Sequence, residues 1–450
     1  MAVVDSSIEV RIQVFNMFFF PRVRPLIDRH AEVFFVHQRA ADCFLFELHD
    51  WHKTVALPAP DNHIAGTVSE SNIYLPNFHP VRPDLGLLIR DPAVVSRAFH
   101  PRTGSEYVIR SMMLPYLEQS YADLSGISRE ADLIVGHPIS FAAPIVAEIL
   151  GKRWISVVLQ PSAMLSAFDP PTVSGYPFLE WFRGWGPGFW NWFRGQARRA
   201  ARPWGDPINL FRRKAEIPEV RNPLLDDMFS PWGTQAWFSK VLAAPQADWP
   251  TKTSITGFPF YDKLTPGKGL SAKVASFLDA GPPPVVFTLG SSAVFDAGEF
   301  YEESVKAANA AGCRAVLLIG RDPRNQPSAS LPDGIITSEY EPFSELFPRA
   351  AAVVHQGGAG TTGQALRAGV PMCVVPFSHD QPDYARRCKG LGVARVVPRS
   401  RYRAARVARE LSGLLADHRC RDAASAVARE MAREDGVAAA CEGLERAMSA

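Results

Sequence analysis

The residues best placed to do chemistry together run Val353-Val354-His355-Gln356-Gly357-Gly358-Ala359-Gly360-Thr361-Thr362, then through Ala368-Gly369-Val370-Pro371 to Asp380-Gln381. Ala350 to Val354 is an apolar run without alternation, the pattern of a parallel strand buried on both faces. Three glycines within four residues then let the backbone turn sharply and come close to a ligand. A helix is expected from about Thr361 to Ala368, with Gly369 in the left-handed position past its end, and a second strand from Met372 to Val375. A glycine turn feeding a helix N-terminus turns free N–H groups and the positive end of the helix dipole toward an anion. His355, Thr361 and Thr362 add donors. The alternative is a glycine-rich turn with no ligand. The histidine before the turn, the threonines after it and the Asp-Gln pair argue against that, because open α/β sheets bind ligands at the carboxyl ends of their strands.

Such a site needs large parallel sheets to hold it. The 450 residues, 47% hydrophobic and 21% charged, suffice for two domains and at most three. A net charge of +2 gives no global field for a nucleic-acid partner. Six cysteines (Cys43, Cys313, Cys373, Cys388, Cys420 and Cys441) are scattered with no Cys-x-x-Cys pair, so reduced thiols are expected and zinc or dithiol chemistry is not. No apolar run of about eighteen residues suggests a membrane span. Ile8 to Phe20 carries Glu9, Arg11 and Gln13 and does not read as a signal peptide. A cytoplasmic location follows as the expectation.

Along the chain, Ile8 to Val14 alternates like a half-exposed strand, and Val33 to Val36 reads as a second short one. Glu106 to Ser125 has helical spacing. Ala131 to Val135, a helix from Ile139 to Leu150 and a strand from Trp154 to Leu159 form a βαβ unit. His137 and Ser162 lie at its strand ends. Residues 168–214 interleave Phe178, Trp181, Phe182, Trp185, Phe189, Trp190, Trp192 and Phe193 with seven arginines. Three readings stand: a helical hairpin packing its aromatics with the arginines solvated, the wall of a pocket for an apolar substrate, or a surface resting on an anionic membrane. Short strands are expected at Ala236 to Leu242 and Ser254 to Ile255. Strands at Val285 to Leu289 and Ala315 to Ile319 flank a helix from Glu302 to Ala311. Val393 to Pro398 and helices from about Tyr402 to Ala416 and Arg421 to Ala447 close the chain.

His-x-Gly-Gly-x-Gly-Thr-Thr, then Leu-Arg-Ala-Gly-Val-Pro and Val-Val-Pro-Phe-x-x-Asp-Gln-Pro, resembles the nucleotide-sugar signature of the GT-B glycosyltransferases. The sterol glucosyltransferases, the antibiotic glycosyltransferases and the rhamnosyltransferases that make rhamnolipids look nearest. The dinucleotide fingerprint is absent. The resemblance implies an α/β protein of GT-B architecture, two Rossmann-like domains facing across a cleft. Residues 1–263 would bind the acceptor, with 1–75 atypical. Residues 264–450 would bind the nucleotide sugar, the last helix crossing back.

It also implies roles. Ser291, His355, Gly357, Gly358, Gly360 and Thr361 would surround the donor diphosphate, Tyr340 and Phe343 its nucleobase, and Asp380 and Gln381 the sugar hydroxyls. The reaction would invert the anomeric carbon through an oxocarbenium-like transition state. It would need no metal and no cofactor beyond a UDP- or dTDP-sugar as co-substrate. The partners would be that donor and a small apolar acceptor, with peripheral membrane contact as a further reading. Ser162, Trp185 and Trp190 are the acceptor-side candidates. The family's N-terminal Gly-Ser-x-Gly loop, which often supplies the general base, has no counterpart in residues 1–75, and His30, His37, His49, His52 and His63 follow no glycine turn. His137 is the remaining catalytic candidate. A nucleotide-sugar-binding protein without a functional base, and a sugar-nucleotide epimerase on the same fold, are the alternatives.

Overall fold

A computed structural model describes residues 79–260 and 269–449, with the backbone of two short strands ahead of them, Gln13–Val14 (β1) and Val33–Val36 (β2). The other expectations for residues 1–75, and the boundary at residue 263, lie outside the described residues.

The first sheet continues with Leu133–Gly136 (β3), Arg153–Val158 (β4), Thr234–Ala236 (β5) and Thr253–Ile255 (β6), six parallel strands in chain order. Side chains alternate across it. Ile134 and Trp154 pack under the helices Leu117–Ser128 (α1) and Ala142–Ile149 (α2). Leu133, Val135, Ile155 and Val157 pack on the opposite face, against Ala440, Leu444 and Ala447 near the C-terminus. Gly186–Ala201 (α3) and Asp206–Lys214 (α4) lie in the long connection between β4 and β5.

The second sheet contains Val285–Thr288 (β7), Ala315–Leu318 (β8), Ile335–Ser338 (β9), Ala352–His355 (β10), Met372–Val374 (β11) and Ala394–Val396 (β12). All are parallel, in the order β12-β11-β10-β7-β8-β9. Val285, Phe287, Leu317 and Val354 face Phe300–Ala310 (α5) on one side. Val286, Val316, Val353 and Val374 face Ala359–Ala368 (α6) and Gln381–Gly390 (α7) on the other. Ala404–Leu415 (α8) joins the first of these layers and His418–Met431 (α9) the second.

Three sequence expectations change. The helical run from Glu106 is broken by a π-helical stretch, Val108–Met113, and a 3-10 turn containing Pro115, so α1 begins only at Leu117. The strand expected over Ala236 to Leu242 ends at Ala236; beyond it, Ser239 Oγ and Lys240 N donate to Glu434 instead. The single helix from Arg421 is two, α9 and Gly436–Ser449 (α10). The break lets the chain cross. A Cβ on Gly436 would lie 2.3 Å from the Phe258 carbonyl oxygen, so only glycine fits there. Asp435 Oδ1 accepts from Ala438 N at 3.0 Å and starts the new helix. α10 then runs onto the first sheet, where Gln235 Nε2 donates to Ala440 O at 2.9 Å and Arg153 Nη1 to Met448 O at 2.6 Å.

Candidate donor-binding site

In the second sheet the chain order reverses at β7: β8 and β9 lie on one side, β10 to β12 on the other. The crevice at that switch point, outside the strands' carboxyl ends, is where open α/β sheets take ligands. The turns after β7 and β10 meet there. A Cβ built on Gly290, whose φ is +63°, would fall 2.4 Å from Gln356 Nε2 and 3.1 Å from Thr361 Oγ1. Gly357 (φ +93°) is equally confined, 2.9 Å from Val374 Cγ1 and 3.1 Å from Gln381 O by the same measure. Both positions require glycine by conformation and by crowding.

Helix α6 starts at Ala359, two residues before its expected start, with Gly358 as N-cap. Gly360, Thr361 and Thr362 therefore sit in its first turn, the end with uncommitted N–H groups and the positive dipole. Around it are buried polar atoms without partners. Among the described residues, six of the fifteen such side-chain atoms lie in the turns and helix starts after β7, β10 and β11: Ser291 Oγ, both amide atoms of Gln356, Thr362 Oγ1, Ser378 Oγ and Gln381 Nε2. Leaving a buried polar group unpaired costs about 1–3 kcal/mol. Concentrating so many in one crevice is the mark of a polar ligand site. Thr362 was expected from sequence to add a donor here; Gln356 and Ser378 were not singled out as ligand-binding side chains.

His355 requires a correction. Its ring is fully buried, Nδ1 accepts from Gly357 N at 3.1 Å, and Nε2 lies 3.2 Å from Met372 Sδ. The imidazole shapes the glycine turn from inside the sheet, with both ring nitrogens engaged by protein atoms. Burial pushes its pKa down to about 3, so it is neutral.

Asp380 is the N-cap residue of α7 and 7% exposed; its side chain makes no capping bond. Gln381 is fully buried, and its Oε1 accepts from Phe377 N (2.8 Å) and Ser378 N (3.2 Å). That fixes the amide and leaves Nε2 to donate elsewhere. His379, in the left-handed region at φ 54°, extends toward the first half of the chain, where Ser105 Oγ lies 3.1 Å from its Nδ1. Beyond β9, Phe343 stacks on Phe347 at 4.5 Å between centroids, while Tyr340 stays 48% exposed with its ring 6.4 Å from Phe343.

The first-sheet candidates are placed differently. His137 Nδ1 accepts from Ile139 N at 3.3 Å, and the residue lines a cavity of about 30 Å³ walled by Trp154, Ile208, Arg212 and Met228. Every wall of that cavity comes from residues 137–228, so it does not bring His137 to the switch-point crevice. Ser162, half-buried, lies on the turn Pro161–Met164 just past β4, close to Leu159 O, which accepts from Tyr384 Oη of α7 at 2.5 Å. Trp190 is 4% exposed, packs with Ala167 and Leu179, and donates to Arg183 O at 3.4 Å. It is a core residue of the hairpin and not a pocket wall. Trp185 is 63% exposed. Arg194, Arg198, Arg212 and Arg213 are paired with Asp248, Asp226, Glu148 and Glu219. Among the described residues no group of three or more His, Cys, Asp or Glu could hold a metal, and no helix is long and apolar enough to cross a membrane.

Residues 309–444 match the family model described as Erythromycin biosynthesis protein CIII-like, C-terminal domain. O-mycaminosyltylonolide 6-deoxyallosyltransferase of Streptomyces fradiae is 36% identical over 335 residues, covering 70% of this chain and 72% of that protein. The chain is a GT-B glycosyltransferase. A sterol 3-beta-glucosyltransferase of Yarrowia lipolytica is 25% identical over 334 residues, 70% of this glycosyltransferase but 22% of the much longer relative. Among solved structures, the glycosyltransferase of kitacinnamycin superposes with a TM-score of 0.57 at 21% identity, over 74% of this chain and 81% of that one. Glycosyltransferase VinC, solved in complex with dTDP, gives 0.54 at 21% identity, over 80% and 86%. These two likenesses carry the fold of this glycosyltransferase.

Proposed function

We propose that this glycosyltransferase moves a hexose from a UDP- or dTDP-sugar to a hydroxyl of an apolar or lipidic acceptor, with inversion and without a metal. The observation that carries the reading is the set of buried, unpartnered polar atoms at the switch point beside the N-terminus of α6. As the nucleoside diphosphate leaves, negative charge grows on its phosphate oxygens. The first-turn amides of α6, the Gln356 amide and the hydroxyls of Ser291 and Thr361 are arranged to receive it. Asp380 and Gln381, on the adjoining helix start, orient the sugar for in-line attack. Tyr340 offers an exposed aromatic face to the nucleobase. The acceptor hydroxyl requires a base working near neutrality, and His137 is not assigned that part. VinC was solved with dTDP, and the relatives' names carry large acceptors, an O-mycaminosyltylonolide or a sterol; together they favour a dTDP-sugar and a large acceptor. Buried unpaired Cys373, Cys388 and Cys420 support a reducing, cytoplasmic setting.

The test offers dTDP-glucose and UDP-glucose with O-mycaminosyltylonolide, ergosterol or 3-hydroxydecanoic acid. Asp380→Asn should lower transfer about tenfold or more while changing dTDP affinity less than about twofold, since the free nucleotide lacks the sugar hydroxyls. An equal loss of dTDP affinity would assign Asp380 to the fold or the phosphates instead.

A further inference from the structure

One turn beyond Asp380, helix α7 carries Asp383, 1% exposed, and a turn further on Arg387, 6% exposed. Asp383 N donates to Asp380 O at 3.0 Å, which ties the two carboxylates to one rigid turn. Asp383 Oδ2 accepts from Arg387 Nε at 2.6 Å, and Oδ1 from Arg386 Nη2 at 3.2 Å. That would be an ordinary intrahelical pair if it stopped there. Instead Asp383 Oδ1 also accepts from Thr172 N at 3.0 Å, and Arg387 Nη1 donates to Asp169 Oδ2 at 2.6 Å and to Leu242 O at 2.9 Å. Each of these three bonds joins α7 to segments within residues 169–242, ahead of the second sheet.

The partners on the far side form a continuous strap. Thr172 Oγ1 donates to Glu180 Oε1 at 2.8 Å, and Arg183 holds Glu180, Thr172 and the carbonyl oxygen of Pro170. Pro170 and Pro171 stiffen the strap just before Thr172. Its other end is fixed to the loop between β5 and β6, where Ser166 Oγ and Ala167 N donate to Asp248. The strap leads into Pro177–Trp185 and α3, the aromatic hairpin. A buried ion network of this kind is a weak source of stability compared with apolar packing of the same volume; what it adds is directional register.

We propose that Asp383 and Arg387 are positioning residues that transmit donor-sugar occupancy from the start of α7 to the 166–185 segment on the acceptor side. The inference rests on the reading of Asp380 and Gln381 as sugar-binding residues given above. A sugar held at the N-terminus of α7 fixes that helix, and the Asp383–Thr172 and Arg387–Asp169 bonds then fix the strap. Donor binding would in this way order the acceptor side before the acceptor arrives.

Hydrogen exchange reads this directly. In the wild type, dTDP-glucose should slow amide exchange about threefold or more both in 355–364 and in 166–185. In Asp169→Asn the first effect should remain and the second vanish, and Asp169→Glu should restore it. Asp383→Asn should behave like Asp169→Asn; Asp169, with its side chain 24% exposed, gives the variant better able to fold. Protection of 355–364 without 166–185 in the wild type overturns the coupling, and so does equal protection of 166–185 in Asp169→Asn. If neither dTDP-glucose nor UDP-glucose protects 355–364 in the wild type, the donor assignment itself fails, and the coupling fails with it.

Discussion

At the carboxyl edge of the second sheet, β7 and β10 end in glycine turns that press against each other and surround polar side chains with no protein partner. At the same edge of the first sheet, β3 ends in His137-Pro138, where Ser140 N donates to His137 O at 2.8 Å and Ile139 N to His137 Nδ1. The second-sheet edge gathers unpartnered polar groups, while the His137 turn is largely closed on its own backbone. The difference follows from how each edge is built. A phosphate site made of backbone amides and a helix start needs only a short stretch of sequence. Any surface formed by the connection between β4 and β5 depends on where some seventy residues of helices and turns pack, roughly the span separating those strands.

Breaking the comparison on the first-sheet side should give the largest effect. Trp190→Ala removes a buried indole from the hairpin core and should cost about 3–5 kcal/mol of stability. Trp185→Ala, at a largely exposed ring, should stay within about 0.5 kcal/mol. Denaturant unfolding of the two variants checks this; equal and small losses would return Trp190 to the pocket wall.

His355 sharpens the donor side. In the folded protein its ring stays neutral down to about pH 3, whereas in the unfolded chain it takes a proton near pH 6.5. Between those values the unfolded chain binds the extra proton. Stability from this group is therefore complete above about pH 6.5 and falls as pH drops toward 3, by up to a few kcal/mol in all. His355→Asn keeps an acceptor for Gly357 N and removes the titration. It should unfold with a shallower pH dependence across that window than the wild type. Identical slopes would show that the imidazole is reachable by water and free to face a ligand.

These outcomes track what the sequence made legible. Unalternating runs such as Val285-Val286-Phe287 and Ala352-Val353-Val354 mark doubly buried parallel strands, and the glycine turn with its Thr-Thr marks the ligand end of the second sheet. The role of His355 was misread because a strand-final residue can point along the ligand edge or into the layers, and spacing alone does not decide between them. Gln356 went unnoticed as a ligand group because its importance rests on Gly290, sixty-six positions earlier, meeting it across the switch point. The break at Ala432–Asp435 was invisible because its cause is the Phe258 carbonyl crossing Gly436, a contact between distant segments. The strap from Asp169 to Arg183 was hidden for the same reason.

The central claim is that unpaired groups at the switch point await the donor diphosphate, and Gln356 tests it most directly. Replacing it by Leu removes two buried unpartnered atoms, so the ligand-free protein should melt no lower than the wild type. Calorimetric titration with dTDP should show affinity weakened about tenfold or more, the loss of one or two hydrogen bonds to a charged group. Unchanged dTDP affinity in a folded Gln356→Leu protein would contradict the account.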